Sequence, residues 1–137
     1  ISYWMKCENP PGGYLSMIDA GGNRAVNLRI WNRQDIDYNV GNFWHIITEQ
    51  VPAIKQEWTH LAATYDGKQA KLYVNGKLLR TAKQEYESRF AHHLTIGGRI
   101  NITKDGPQES EYYTGLLDEI AIFNTVLTGE EIAGLGK

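Results

Sequence analysis

The sequence predicts an all-β fold, a two-sheet antiparallel β-sandwich with one short C-terminal helix. Three observations point there. Segments of alternating apolar and polar residues recur between turn signals at a spacing of about 8–12 residues, the pattern of an antiparallel sandwich or barrel. Glycines number 14 against 4 prolines and aromatics reach 11%, a composition suited to tight turns between half-buried strands. Two hairpin dipeptides, Asp66-Gly67 and Asn75-Gly76, flank a short alternating strand, which makes a β-meander there hard to avoid. No βαβ alternation and no solenoid repeat competes with this pattern.

Ile1 to Cys7 opens the series and stops at Asn9-Pro10-Pro11-Gly12-Gly13. Tyr14 to Ile18 is the second strand, ended by Asp19-Ala20-Gly21-Gly22-Asn23. In the third, Val26 to Trp31, Val26, Leu28 and Ile30 share one face while Asn27, Arg29 and Trp31 share the other. The alternation weakens from Asn32 to Asn42, where a polar loop or hairpin is expected, and Phe43 to Thr48 reads as a further strand. Trp58 to Tyr65, Lys71 to Val74 and Lys77 to Ala82 form the meander around the two turns. Leu94 to Ile96 is short and closed by Gly97-Gly98, and Ile100 to Glu111 is polar enough to read as a surface loop. Tyr113 to Asn124 is the last long strand. Thr128-Gly-Glu-Glu131 is a capping box that starts a helix running to about Leu135, with Gly134 or Gly136 as its stop. Trp4, Trp58, Tyr65 and Phe123 lie in alternating segments and are expected in the core.

The chain has 137 residues, enough for one domain with a sizeable core, and a formal net charge of −2. That charge, with no basic cluster, supplies no drive toward nucleic acid or an anionic membrane. The single cysteine, Cys7, excludes an internal disulfide and a cysteine-based zinc site. No apolar run reaches the roughly 20 residues that span a bilayer, so membrane insertion is not expected. The chain starts at Ile1, inside a strand-like run, and reads as a domain cut from something longer.

Trp58-Thr-His-Leu-Ala-Ala-Thr-Tyr-Asp-Gly67, followed by Ala70-Lys-Leu-Tyr-Val-Asn-Gly76, resembles the central hairpins of laminin G-like, concanavalin A-like jelly rolls. Leu94-Thr-Ile-Gly-Gly98, Tyr113-Thr-Gly-Leu-Leu-Asp-Glu-Ile-Ala-Ile-Phe-Asn124 and the helix start at Thr128 are similar to that family's closing segments. Ile1-Ser-Tyr-Trp-Met-Lys6 looks like its early inner-sheet strand. The resemblance implies a laminin G-like jelly-roll domain over 1–137. It also implies truncation, since family members usually carry a strand before and a strand after these limits. A sheet edge left open would invite self-association with another chain. The function implied is a non-catalytic carbohydrate-binding or adhesion module of a larger extracellular protein, with a glycan or cell-surface protein as partner. Two alternatives stay open: a structural or assembly domain of a surface protein, and an accessory domain of a glycan-degrading enzyme.

Asp118 shares strand parity with Leu116, Ile120 and Ile122, which turns its carboxylate toward the apolar side. A carboxylate there needs a loop amide, a cation or a metal. In similar jelly rolls an acid at this place helps to hold a structural calcium, so the resemblance implies calcium as a cofactor. Calcium takes six to eight oxygens, more than Asp118 alone supplies. A loop site at Asp19, Asn23, Asp35 or Asp37 is a second metal candidate. Trp31, Tyr38, Trp44, Tyr112 and Tyr113 fall at strand ends or in polar loops. Exposed rings there would stack on the C–H faces of sugars, with Asn32 and Arg33 close by for hydroxyls. Packing at the sandwich edge is the alternative for each ring. Enzyme signatures fail. Glu109-Ser-Glu111 and Glu85-Tyr-Glu87 lack apolar framing. No Gly-x-Ser-x-Gly elbow occurs. His92 and His93 point to opposite faces of a strand, and His45 and His60 are isolated.

Overall fold

The computed structural model describes residues 1–7, 14–20, 26–31, 35–40, 47–51, 57–83, 85 and 93–137, with backbone only at 14–20, 31 and 47–50. Strands are numbered in chain order. One five-stranded sheet runs β12 (Leu116–Ala121), β1 (Ser2–Lys6), β6 (Thr59–Tyr65), β7 (Gln69–Val74), β8 (Lys77–Lys83). The other runs β5 (Ile47–Gln50), β4 (Asp35–Val40), β3 (Val26–Trp31), β2 (Tyr14–Ala20), β9 (Leu94–Ile96). A separate hairpin pairs β10 (Arg99–Thr103) with β11 (Gly106–Ser110), and every pairing is antiparallel. This is the expected two-sheet jelly-roll sandwich.

Period-2 alternation builds the core from both sheets. Tyr3, Met5, Leu61, Ala63, Ala70 and Leu72 come from the first, and Leu28, Ile30, Ile36, Tyr38 and Val40 from the second. Each large aliphatic side chain sealed here contributes about 1.5–3 kcal/mol. The Asn75-Gly76 turn has φ of 48° and 73°, which glycine and asparagine tolerate best. Helix α1 (Gly129–Leu135) carries the full capping box between Thr128 and Glu131. Its Ile132 is buried against Ala62 and Tyr73 on the outer face of the first sheet. Among the described residues no helix is long and apolar enough to cross a membrane.

Four expectations need correction. Of the loop or hairpin expected over Asn32 to Asn42 the hairpin holds and the loop does not, since β4 pairs antiparallel with β3, sending Ile36, Tyr38 and Val40 into the core while Asp37 and Asn39 are buried on the other face. Burial on both faces hid the strand, because its second face is polar. The expected 100–111 surface loop is instead the β10–β11 hairpin, turning at Lys104-Asp105 with Gly106 at φ 108°. Asp118 does not face the core. A bulge in the β1–β12 ladder pairs Ser2 with Ala121 but Trp4 with Asp118, and Glu119 sits at φ 49°. The extra residue flips the parity, so Leu117 and Ile120 pack inward and Asp118 is exposed. Trp4, Trp58 and Phe123 are not core residues either. Trp58 is 42% and Phe123 37% exposed, and Trp4 is half-buried on the outer face with Ser2 and Lys6.

Candidate functional site

On the second sheet, the face turned away from the core is polar and closed. Register places Arg29 opposite Asp37 and Asn27 opposite Asn39. Arg29 Nε donates to Asp37 Oδ2 at 2.7 Å, and Asn39 Nδ2 donates to the same oxygen at 2.8 Å. Arg29 Nη1 lies 3.5 Å from Glu111 Oε2, and Arg99 Nη1 donates to Glu111 Oε1 at 2.9 Å. Charges therefore alternate from Asp37 through Arg29 and Glu111 to Arg99. This chain ties the end of the β10–β11 hairpin to the sheet. Its inner members are shut off from solvent, so their work is to position the hairpin. Asp35 and Asp37, expected in a loop, lie on strand β4, and Asp37 Oδ2 is engaged by Arg29 and Asn39.

At the outer end of this chain stands Tyr112, 60% exposed. Its hydroxyl donates to Glu109 Oε2 at 2.8 Å, which also raises the phenol's pKa. Its ring lies beside Gly98, where a Cβ would come within 3.5 Å of Tyr112 Cδ1. The ring is thus bonded to a carboxylate through its hydroxyl and lies at ordinary contact distance from Gly98. Tyr113 is half-buried against the core, and its hydroxyl donates to the Leu116 carbonyl at 3.3 Å. Its N–H bonds the Gly97 carbonyl at 2.8 Å, holding the segment against the β9–β10 turn.

Tyr38 is a correction. It is only 2% exposed, since it shares parity with Ile36 and Val40, and burial drives its phenol pKa up. It packs in the core and offers no stacking surface. Trp31 ends β3, paired with Asp35 and Tyr14. Its side chain, with Asn32, Arg33 and Trp44, lies outside the described residues, as do Asn23 and the Asp19 side chain.

Asp118 Oδ1 accepts the Glu119 N–H at 2.8 Å, and Lys137 lines the same surface cleft. Among the described residues no group of three or more His, Cys, Asp or Glu is placed to hold an ion. A larger cleft of about 470 Å³ opens at one end of the sandwich, walled mostly by apolar groups such as Ile1, Val26, Leu94, Ile122 and Phe123.

Two antiparallel five-stranded sheets followed by one short capped helix make up a jelly-roll architecture. The chain belongs to the concanavalin A-like lectin/glucanases superfamily, whose laminin G family model matches residues 1–133. No curated protein matches it in sequence. Among solved structures it is similar to the CBM40 of the Ruminococcus gnavus IT-sialidase bound to α2,3 sialyllactose. The TM-score is 0.72 at 19% identity, over 99% of this chain and 80% of that one. It is also similar to domain 4 of an extracellular GH43 arabinanase from Geobacillus stearothermophilus in complex with arabinotriose. That match has TM-score 0.65 and 19% identity, over 99% of this chain and 65% of that one. The receptor-binding domain of botulinum neurotoxin C/D mosaic serotype matches with TM-score 0.74 at 17% identity. There the match covers 98% of this chain and 34% of the toxin chain.

Proposed function

We propose that this chain is a non-catalytic carbohydrate-binding module of a larger extracellular protein, with its glycan surface around Tyr112. The observation that carries this is the Tyr112 ring, exposed yet fixed by its bond to Glu109. An aromatic face in water stacks on the apolar C–H face of a sugar, and the neighbouring carboxylates and guanidinium take up its hydroxyls. Superfamily membership and the sugars held by two of the similar structures support the same reading. So does the surrounding chemistry. Glu109 is bonded to a tyrosine and Glu111 to Arg99 and Arg29, so neither carboxylate is framed by apolar residues as a glycosidase acid would be.

Titration calorimetry with sialyllactose and arabinotriose, on wild type and Tyr112→Ala, tests the proposal. Binding of at least one, weakened about tenfold by the substitution with no change in melting temperature, is the expected result. Binding indifferent to Tyr112→Ala would move the site elsewhere on the domain.

A further inference from the structure

We propose that the outer face of the first sheet carries a second ligand site, a cleft between Trp4 and Trp58 that takes a neutral or amino-bearing pyranose ring. The site is separate from Tyr112 and does not rest on the reading above. The cleft measures about 280 Å³ and is lined by Trp4, Trp58, Asp118, Glu119 and Lys137.

Three features make it a built site. The first is the fixed indole of Trp4. Asp118, Trp4 and His60 form one row across β12, β1 and β6. The Trp4 ring meets the His60 ring at 5.3 Å between centroids. His60 is itself sealed, 1% exposed, and shares a 2.8 Å hydrogen bond with Ser2 Oγ. A ring held in place before the ligand arrives loses little entropy on binding. The second feature is Trp58, a large apolar side chain left 42% in water just before β6. The third is the pair of consecutive acids. On a regular strand Asp118 and Glu119 would point to opposite faces. The bulge, with Glu119 in the left-handed region, brings both to one cleft. Such a conformation costs a non-glycine residue about 1–2 kcal/mol and concentrates where a side chain must be re-aimed for function.

The lining chemistry selects the ligand class. Indole faces stack on the C–H face of a pyranose, and carboxylates accept from its hydroxyls. Two carboxylates against the one Lys137 ammonium leave the cleft negative, which favours an amino group, aided by attraction to the indole. The same charge repels uronic and sialic acids.

The four tryptophan indole N–H signals, followed by nuclear magnetic resonance in the labelled chain, test this with methyl glucoside, glucosamine and glucuronic acid. The two non-acidic sugars should shift a shared set of indole signals, glucuronic acid none. Trp58→Ala should abolish the response and Asp118→Asn weaken glucosamine about tenfold, both at an unchanged melting temperature. Tyr112→Ala should leave it intact, which separates this site from the one proposed above. No indole shift with any sugar at tens of millimolar, shifts that persist in Trp58→Ala, or equal binding of glucuronic acid would overturn the proposal.

Discussion

Arg29 and Asp37 face each other across β3 and β4, with Nε 2.7 Å from Oδ2 and side-chain exposures of 1% and 0%. The pair lies on the polar face of a sheet whose other face is the hydrophobic core, and Asn39 and Glu111 also bond to it. Removing one partner leaves the other charged and buried, which costs about 3–5 kcal/mol. Asp37→Ala should lower the unfolding free energy by that order in a urea titration. Joint replacement of Arg29 and Asp37 by apolar residues of similar volume should cost much less. Equal losses in the single and double variants would contradict this account of the pair.

His60 makes stability depend on pH. Its ring is sealed between Trp4 and Ser2, and burial holds its pKa below the ordinary 6.5. Below about pH 6.5 the unfolded chain therefore binds a proton that the folded chain resists. The contribution is complete above that pH and is lost progressively as pH falls toward the depressed folded value. Melting temperatures from pH 8 to 5 should fall on the acid side, and His60→Gln should flatten that part of the profile. An unchanged slope in the variant would assign the acid sensitivity to other groups.

The Glu119 backbone at φ 49° predicts a gain on substitution. Glycine enters the left-handed region without strain, so Glu119→Gly should raise stability by up to about 1 kcal/mol, read as a higher denaturation midpoint. A loss would mean that the bulge needs the Glu119 side chain.

Asp118 predicts indifference to calcium. Its exposed carboxylate keeps its bond to the Glu119 N–H when amidated. Wild type and Asp118→Asn should melt alike with calcium or with chelator. A chelator-sensitive melting temperature that disappears in Asp118→Asn would restore the ion to this position.

Much of the fold is legible in the sequence, because local chemistry and tertiary structure agree where it matters. Val26 to Trp31 and Leu94 to Ile96 are strands with the expected bounds, and the Asn75-Gly76 turn and the Thr128 capping box form as their residues dictate. The departures share a cause. β4 buries its polar residues through partners on other strands, which no local pattern records. Asp105-Gly106 is a hairpin signal in its own right, set in a stretch whose polarity reads as a loop. A bulge cannot be read from alternation, so alternation alone puts Asp118 on the wrong face. Alternation also does not say which face of a strand is the core. The clue lies at Trp4, whose parity partners Ser2 and Lys6 are polar while Tyr3, Met5 and Cys7 belong to the hydrophobic core. Of the candidate aromatics, the exposure of Tyr112 is legible in its polar setting. Tyr38 was misplaced because its strand was missed.

The central claim is that this jelly roll binds glycan through an oriented surface aromatic. A glycan array probed with the 137-residue chain and with its Tyr112→Ala variant tests it most directly. The account predicts selective binding to a group of related glycans, with most of that signal lost in the variant. An array on which the folded wild-type chain binds no glycan at all would contradict it.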